Sequence, residues 1–157
     1  MSKVENYIPM FAYGILKYPV NILNEGGINI VEGAHVKRMR LYCQGGVGIA
    51  LANDMFAEMD DKVVGTYFEI PESVVLNEYD YVEGFTVGGV KANNMYNREV
   101  VDVTLPNGEV KKANMYIANI LWFYGDFKDE HYIPSGVIED KWLLRLKIDA
   151  NKEEVGE

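Results

Sequence analysis

The chain has 157 residues, of which 48% are hydrophobic and 25% charged, and its 24 acidic against 15 basic side chains give a formal net charge of −9. That length suits one domain with a real core, and the acidic balance argues against broad attraction to nucleic-acid backbones or anionic membranes. The single cysteine, Cys43, excludes an internal disulfide, and with only two histidines beside it the ligands are too few for a structural zinc site.

The opening Met1-Ser2-Lys3-Val4-Glu5-Asn6 lacks the apolar core of a secretory signal, and no run reaches membrane-spanning length, so a cytoplasmic location is expected. An apolar run from Tyr7 to Tyr13 then leads into Gly14 and Tyr18-Pro19, which reads as a short first strand ending in a tight loop. Glycine lets the backbone turn there, and successive N–H groups at such a turn can cradle an anion. The residues alone leave two readings open: a plain strand-to-loop turn, or an anchor for a carboxylate. Pro19 to Glu25 suits one or two helical turns with proline at the start, stopped by Gly26-Gly27. Val31 to Cys43 reads as one strand with an exposed basic edge. Gln44 to Leu51 invites a dinucleotide-binding reading through Gly46-Val47-Gly48, with Glu69 roughly where a ribose-binding acid would fall. Leu51 in place of the third glycine, and the lack of repeated strand–helix units, argue against it.

Lys62 to Ile70 is rich in β-branched and aromatic residues and reads as a central strand. Pro71-Glu72-Ser73 opens a helix, with Val74, Val75, Tyr79 and Val82 forming an apolar stripe. That helix runs out at Tyr79-Asp80-Tyr81-Val82-Glu83-Gly84. An acid at a helix C-terminus opposes the macrodipole, so Glu83 needs either solvent or a reason to be there. Phe85 to Asn94 reads as a mobile loop. Met95 to Leu105 reads as a strand in which Tyr96 and Arg98, two apart, share a face that is either a site or a paired outer surface. Pro106-Asn107-Gly108 is a turn, and Glu109 to Tyr124 returns as a long strand, with Ala113, Met115, Ile117 and Ile120-Leu121-Trp122-Phe123 supplying core. His131 to Gly136 is a turn and Val137 to Ile148 a helix carrying Trp142. Ser135 and His131 lack the oriented acid of a nucleophile and base pair. A single domain over residues 1–149 and a polar tail over 150–157 are expected.

Four short patterns in order carry a resemblance: Phe11-Ala12-Tyr13-Gly14-Ile15-Leu16, Val63-x-Gly65 with Tyr67 and Ile70, Asp80-x-x-Glu83-Gly84, and Tyr96-x-Arg98. Together they resemble the γ-glutamylcyclotransferase-like, or AIG2-like, family. Ile15 stands where that family usually has a hydroxyl residue, and Val47-Gly48-Ile49-Ala50-Leu51 lacks the proline of its Pro-Ala-Leu segment. Ser135, Gly136 and Trp142 echo its closing Ser-Gly and tryptophan with wider spacing.

The resemblance implies an α+β fold, a small mixed β-barrel of about five or more strands with short flanking helices. It implies an enzyme that cyclises a γ-glutamyl group to 5-oxoproline with release of the attached amine, using no cofactor and no metal. Glu83 is then the proton carrier, its pKa raised by burial beside aromatic residues. The Gly14-Ile15-Leu16 amides hold the substrate's α-carboxylate, with Tyr13, Tyr96 and Arg98 in the pocket wall. The expected partner is a small γ-glutamyl substrate, with no nucleic acid and no membrane, and the chain a monomer or homodimer. Two other readings stay open: a non-catalytic binder of a small zwitterion or partner on the same barrel, favoured by Ile15 and the long loop after Gly84, and a different amide-processing enzyme using the same Glu83.

Overall fold

The first strand, β1 (Tyr7–Ala12), buries both Met10 and Phe11. Neighbouring strand residues face opposite sides, so the sheet must be covered on both. Phe11 joins a cluster with Val36, Val63, Val103 and Met115, while Met10 joins Phe68, Ile70, Tyr79 and Tyr96 on the other face. A computed structural model describes residues 6–14, 17–44, 49–80, 83–86, 89–123, 125 and 127–138. In it β1 pairs antiparallel with β5 (Lys62–Pro71), and the closed barrel runs β1-β5-β2-β6-β7, with β2 at Ile28–Lys37, β6 at Tyr96–Thr104 and β7 at Val110–Ala118. A parallel contact between Met10 and Asn114 closes it, which makes the barrel mixed. The expected α+β architecture is therefore the observed one.

Gly65 is where closure is tightest. A Cβ built there would lie 2.1 Å from the carbonyl oxygen of Ala12. Only glycine lets β5 run this close to the end of β1.

The single strand expected over Val31 to Cys43 is instead two, β2 and β3 (Arg40–Gln44). Arg38 takes a left-handed conformation, φ 56°, and breaks the run. β3 then pairs with β4 (Ile49–Asn53) as a separate hairpin that buries Leu41, Tyr42, Leu51 and Ala52 against the barrel. Of the basic residues expected on an exposed edge, Lys37 and Arg38 are exposed and Arg40 is not. Arg40 lies 3.0 Å from Asp61 and stacks 4.1 Å from the Tyr132 ring centroid.

β7 also stops sooner than the apolar run to Tyr124 suggested. The Asn119 side chain accepts the Leu121 N–H at 3.0 Å and its carbonyl accepts those of Trp122 and Phe123, turning the chain. Phe123 is buried, but Leu121 and Trp122 are 69% and 54% exposed, not core. α1 (Pro19–Asn24) starts at its proline as read, and α2 (Glu72–Val74) continues into a single π-turn at Val75–Tyr79 with Val75 and Tyr79 buried. The loop after Gly84 contains a 3₁₀ turn, Lys91–Asn93. Among the described residues no helix is long and apolar enough to cross a membrane. Gly46-Val47-Gly48 and the 150–157 tail lie outside the described residues, as does the helix expected over Val137 to Ile148 except for Val137 and Ile138, which are not helical.

Candidate active site

The helix after β5 closes on itself around Gly84. The Glu83 N–H donates to the Tyr79 carbonyl at 2.9 Å, the Phe85 N–H reaches back to the Asp80 carbonyl at 2.8 Å, and Gly84 sits at φ +64°. This six-residue closure with a left-handed glycine satisfies carbonyls that a helix end leaves open. A side chain at Gly84 would also press on Met95, 3.0 Å away. The turn is fastened to the barrel: the Glu83 carbonyl accepts the Tyr96 N–H at 3.2 Å and the Gly84 carbonyl accepts that of Met95 at 3.1 Å. Glu83 is thus fixed by its backbone between helix and β6.

Its side chain is half-buried, and loss of water pushes the carboxyl up to about 7. Burial is also the main reason the phenols of Tyr13 and Tyr116 are raised, and in both the Glu83 carboxylate adds to the rise. The three groups therefore share one electrostatic neighbourhood. Tyr13 follows directly on β1 and donates its hydroxyl to the Tyr116 carbonyl at 3.0 Å. Tyr96 also raises the Tyr13 phenol, while the Ala52 backbone of β4 lowers it, so the hairpin borders the same space. The Tyr96 ring packs 5.3 Å from Phe123. The helix end, the residue after the first strand and the sixth strand lie side by side here.

Arg98 faces the same region but turns to protein groups. Its Nε lies 2.9 Å from Asp80 Oδ1 and its Nη2 3.3 Å from Oδ2, while Nη1 donates to Asn114 Oδ1 at 3.3 Å. The guanidinium sits 5.3 Å from the Phe85 ring centroid. Asp80, with only 5% of its side chain exposed, also accepts the Tyr116 hydroxyl at 2.5 Å. In this geometry Arg98 clamps the helix end to the barrel. Gly14 is half-buried and its carbonyl accepts the Lys17 N–H at 3.1 Å. Ile15 and Leu16 lie outside the described residues, and the expected amide cradle with them. Among the described residues no group of three or more His, Cys, Asp or Glu is placed to hold a metal ion.

Sequence reasoning missed Tyr116 and Asn114. Tyr116 stands opposite Arg98 in the β6–β7 register, and Asn114 ties the guanidinium to β1 through the Pro9 carbonyl. Only the register of the hairpin, fixed by the Pro106-Asn107-Gly108 turn, could have pointed to the first.

The family model described as gamma-glutamyl cyclotransferase, AIG2-like, matches residues 10–142, a span holding every motif residue named above. The chain belongs to this family. Several solved structures share the γ-glutamyl cyclotransferase fold. The solution structure of an Arabidopsis thaliana protein is 20% identical, with a TM-score of 0.58, covering 78% of this chain and 76% of that one. A structure described as a gamma-glutamyl cyclotransferase is 20% identical, with a TM-score of 0.55 and 73% and 68% coverage. An AIG2-like protein from Mus musculus is 18% identical, with a TM-score of 0.54 and 86% and 96% coverage. At these identities the likeness speaks for the fold. A comparison with curated proteins gave no match.

Proposed function

We propose that this AIG2-like protein cyclises the γ-glutamyl group of a small amine, amino acid or peptide to 5-oxoproline and releases the amine. The observation that carries this reading is the position of Glu83: a desolvated carboxyl tied to β6 by its backbone and electrostatically coupled to Tyr13, which follows β1. The substrate's α-amino nitrogen attacks its own γ-carbonyl carbon, the ring C–N bond forms, and the C–N bond to the departing amine breaks. Two protons leave the attacking nitrogen and two arrive on the departing one. The step thus needs neither water nor a co-reactant, and the protein need supply no nucleophile.

What it must supply is orientation and a proton carrier. Holding the reacting atoms together contributes several kcal/mol in intramolecular reactions of this kind. A carboxyl near neutrality can take a proton from the ammonium and return it to the leaving group, which one at the ordinary ~4.3 does poorly. The raised carboxyl of Glu83 supports giving it that role. The Gly14-Ile15-Leu16 amides hold the α-carboxylate, a role carried over from the family resemblance, and Tyr13 and Tyr96 line the wall. Arg98 supports the site from behind through Asp80.

Incubation with γ-glutamyl amines, γ-glutamyl amino acids and glutathione, followed by mass spectrometry, tests the proposal. The expected products are 5-oxoproline and free amine. Free glutamate would instead mark a hydrolase, and retention of ligand without product a binding protein.

A further inference from the structure

Along β7, Ala113, Met115 and Ile117 pack with Phe11 and Val103 on one face of the strand. Successive side chains alternate, so Asn114 and Tyr116 lie on the other, where they meet Arg98 and Asp80. Tyr116 is buried and reaches the candidate site in two directions. Its carbonyl accepts the Tyr13 hydroxyl at 3.0 Å, and its own hydroxyl donates to Asp80 Oδ1 at 2.5 Å. Tyr13 leads straight into Gly14 and the turn after β1. Asp80 belongs to the same closed turn as Glu83, since its backbone carbonyl accepts the Phe85 N–H at 2.8 Å. One residue therefore spans both halves of the site.

A buried phenol that only filled space would be matched by phenylalanine, without the cost of taking a hydroxyl out of water. Nor is the hydroxyl needed to compensate the Asp80 charge, because Arg98 already meets both carboxylate oxygens, through Nε at 2.9 Å and Nη2 at 3.3 Å. What the hydroxyl adds is direction. Arg98 and Tyr116 stand opposite each other in the β6–β7 register, so Asp80 is held from two adjacent strands at once. Asn114, on the same face of β7, fastens the Arg98 guanidinium and also donates to the Pro9 carbonyl of β1 at 3.2 Å. With donors on both strands the helix end resists rolling about the Arg98 contact, and the Glu83 carboxyl keeps its distance from the turn after β1.

Resting on the cyclisation proposed above, we infer that Tyr116 is a positioning residue for that reaction: acting through Asp80, it holds the helix end that carries Glu83 against the turn that takes the substrate's carboxylate. Its two contacts are separable. Tyr116→Phe removes the hydroxyl from Asp80 and leaves the carbonyl that holds Tyr13, so the Glu83 half loosens while the anchoring half stays.

The test compares kcat, KM and the pH dependence of kcat/KM for 5-oxoproline formation in the wild type, Tyr116→Phe and Val103→Ala, each shown to be folded by denaturant titration, with whichever γ-glutamyl compound of the panel above the wild type turns over best. Tyr116→Phe is expected to lower kcat by about tenfold, as a small misplacement of a reacting group does, with KM within about twofold of the wild type. Its kcat/KM midpoint should also fall from about 7 toward the ordinary carboxyl value, because burial is what raises Glu83 and a loosened helix end admits water. Val103→Ala opens a gap on the opposite face of the sheet, where Val103 is fully buried, and is expected to lower the denaturant midpoint while leaving kcat and the pH midpoint unchanged. Wild-type kcat and pH midpoint in Tyr116→Phe, a rise in KM alone, or equal losses in Val103→Ala would overturn the inference and leave the cyclisation standing. Absence of 5-oxoproline from the wild type across the whole γ-glutamyl panel would remove the cyclisation itself, and the inference with it.

Discussion

Glu83 shows how little a residue's type decides about its chemistry. A free glutamate titrates near ~4.3, yet here desolvation lifts the carboxyl to about 7 because its backbone is tied into a turn against β6. Two outcomes follow at this scale. Because the deprotonated form takes the first proton, kcat/KM is expected to rise with pH through a midpoint of about 7. A pH–rate series with a substrate that does not itself titrate near neutrality reads this directly. Stability moves the other way: the fold favours the protonated carboxyl, so its contribution is complete below the ordinary pKa and is lost as pH rises through about 7. Glu83→Gln is therefore expected to raise the unfolding free energy by up to about 3 kcal/mol at pH 8 and by little at pH 4, measured by denaturant titration at both. The Glu-Gly pair was legible in the sequence because its cause is local: an acid at a helix end that the dipole disfavours, followed by a residue able to turn left-handed. The burial that raises its pKa could only be expected through the resemblance, since it depends on tertiary packing that residue order does not show.

Between elements, the helix end is joined to the barrel by an ion pair that is nearly buried, with side-chain exposures of 15% for Arg98 and 5% for Asp80. Removing one partner of such a pair leaves the other charge without compensation, at a cost of roughly 3–5 kcal/mol. Asp80→Ala is expected to destabilise by that order and strip Tyr116 and Arg98 of their shared acceptor. Lys112→Ala, which breaks a pair exposed on both sides, should cost about 1 kcal/mol or less. Denaturant midpoints of the two variants check the contrast. Element boundaries explain which parts of this scale were legible. Lys62 to Ile70 and the Asn-Gly hairpin carry strong local signals and formed as read. The break at Arg38 has no glycine or proline to announce it, and β7 stops where the side chain and carbonyl of Asn119 take the following N–H groups from the ladder, although the apolar run continues. Tyr116 and Asn114 were invisible for a further reason: their roles come from register across a hairpin, which residue order does not show.

For the molecule as a whole, a five-stranded mixed barrel brings β1, the helix end and β6 to one place. The family match over residues 10–142 and the shared fold of the solved relatives accord with that arrangement. Among the motif residues, Gly65 marks a point where barrel geometry restricts the residue, beside the Ala12 carbonyl. The account turns on one carboxyl acting at this junction. The measurement that meets it most directly is the rate of 5-oxoproline formation from a turned-over γ-glutamyl substrate by the wild type and by folded Glu83→Gln. The account expects a loss of at least about a hundredfold, the usual contribution of a positioned acid–base group; a variant that retains the wild-type rate would contradict it.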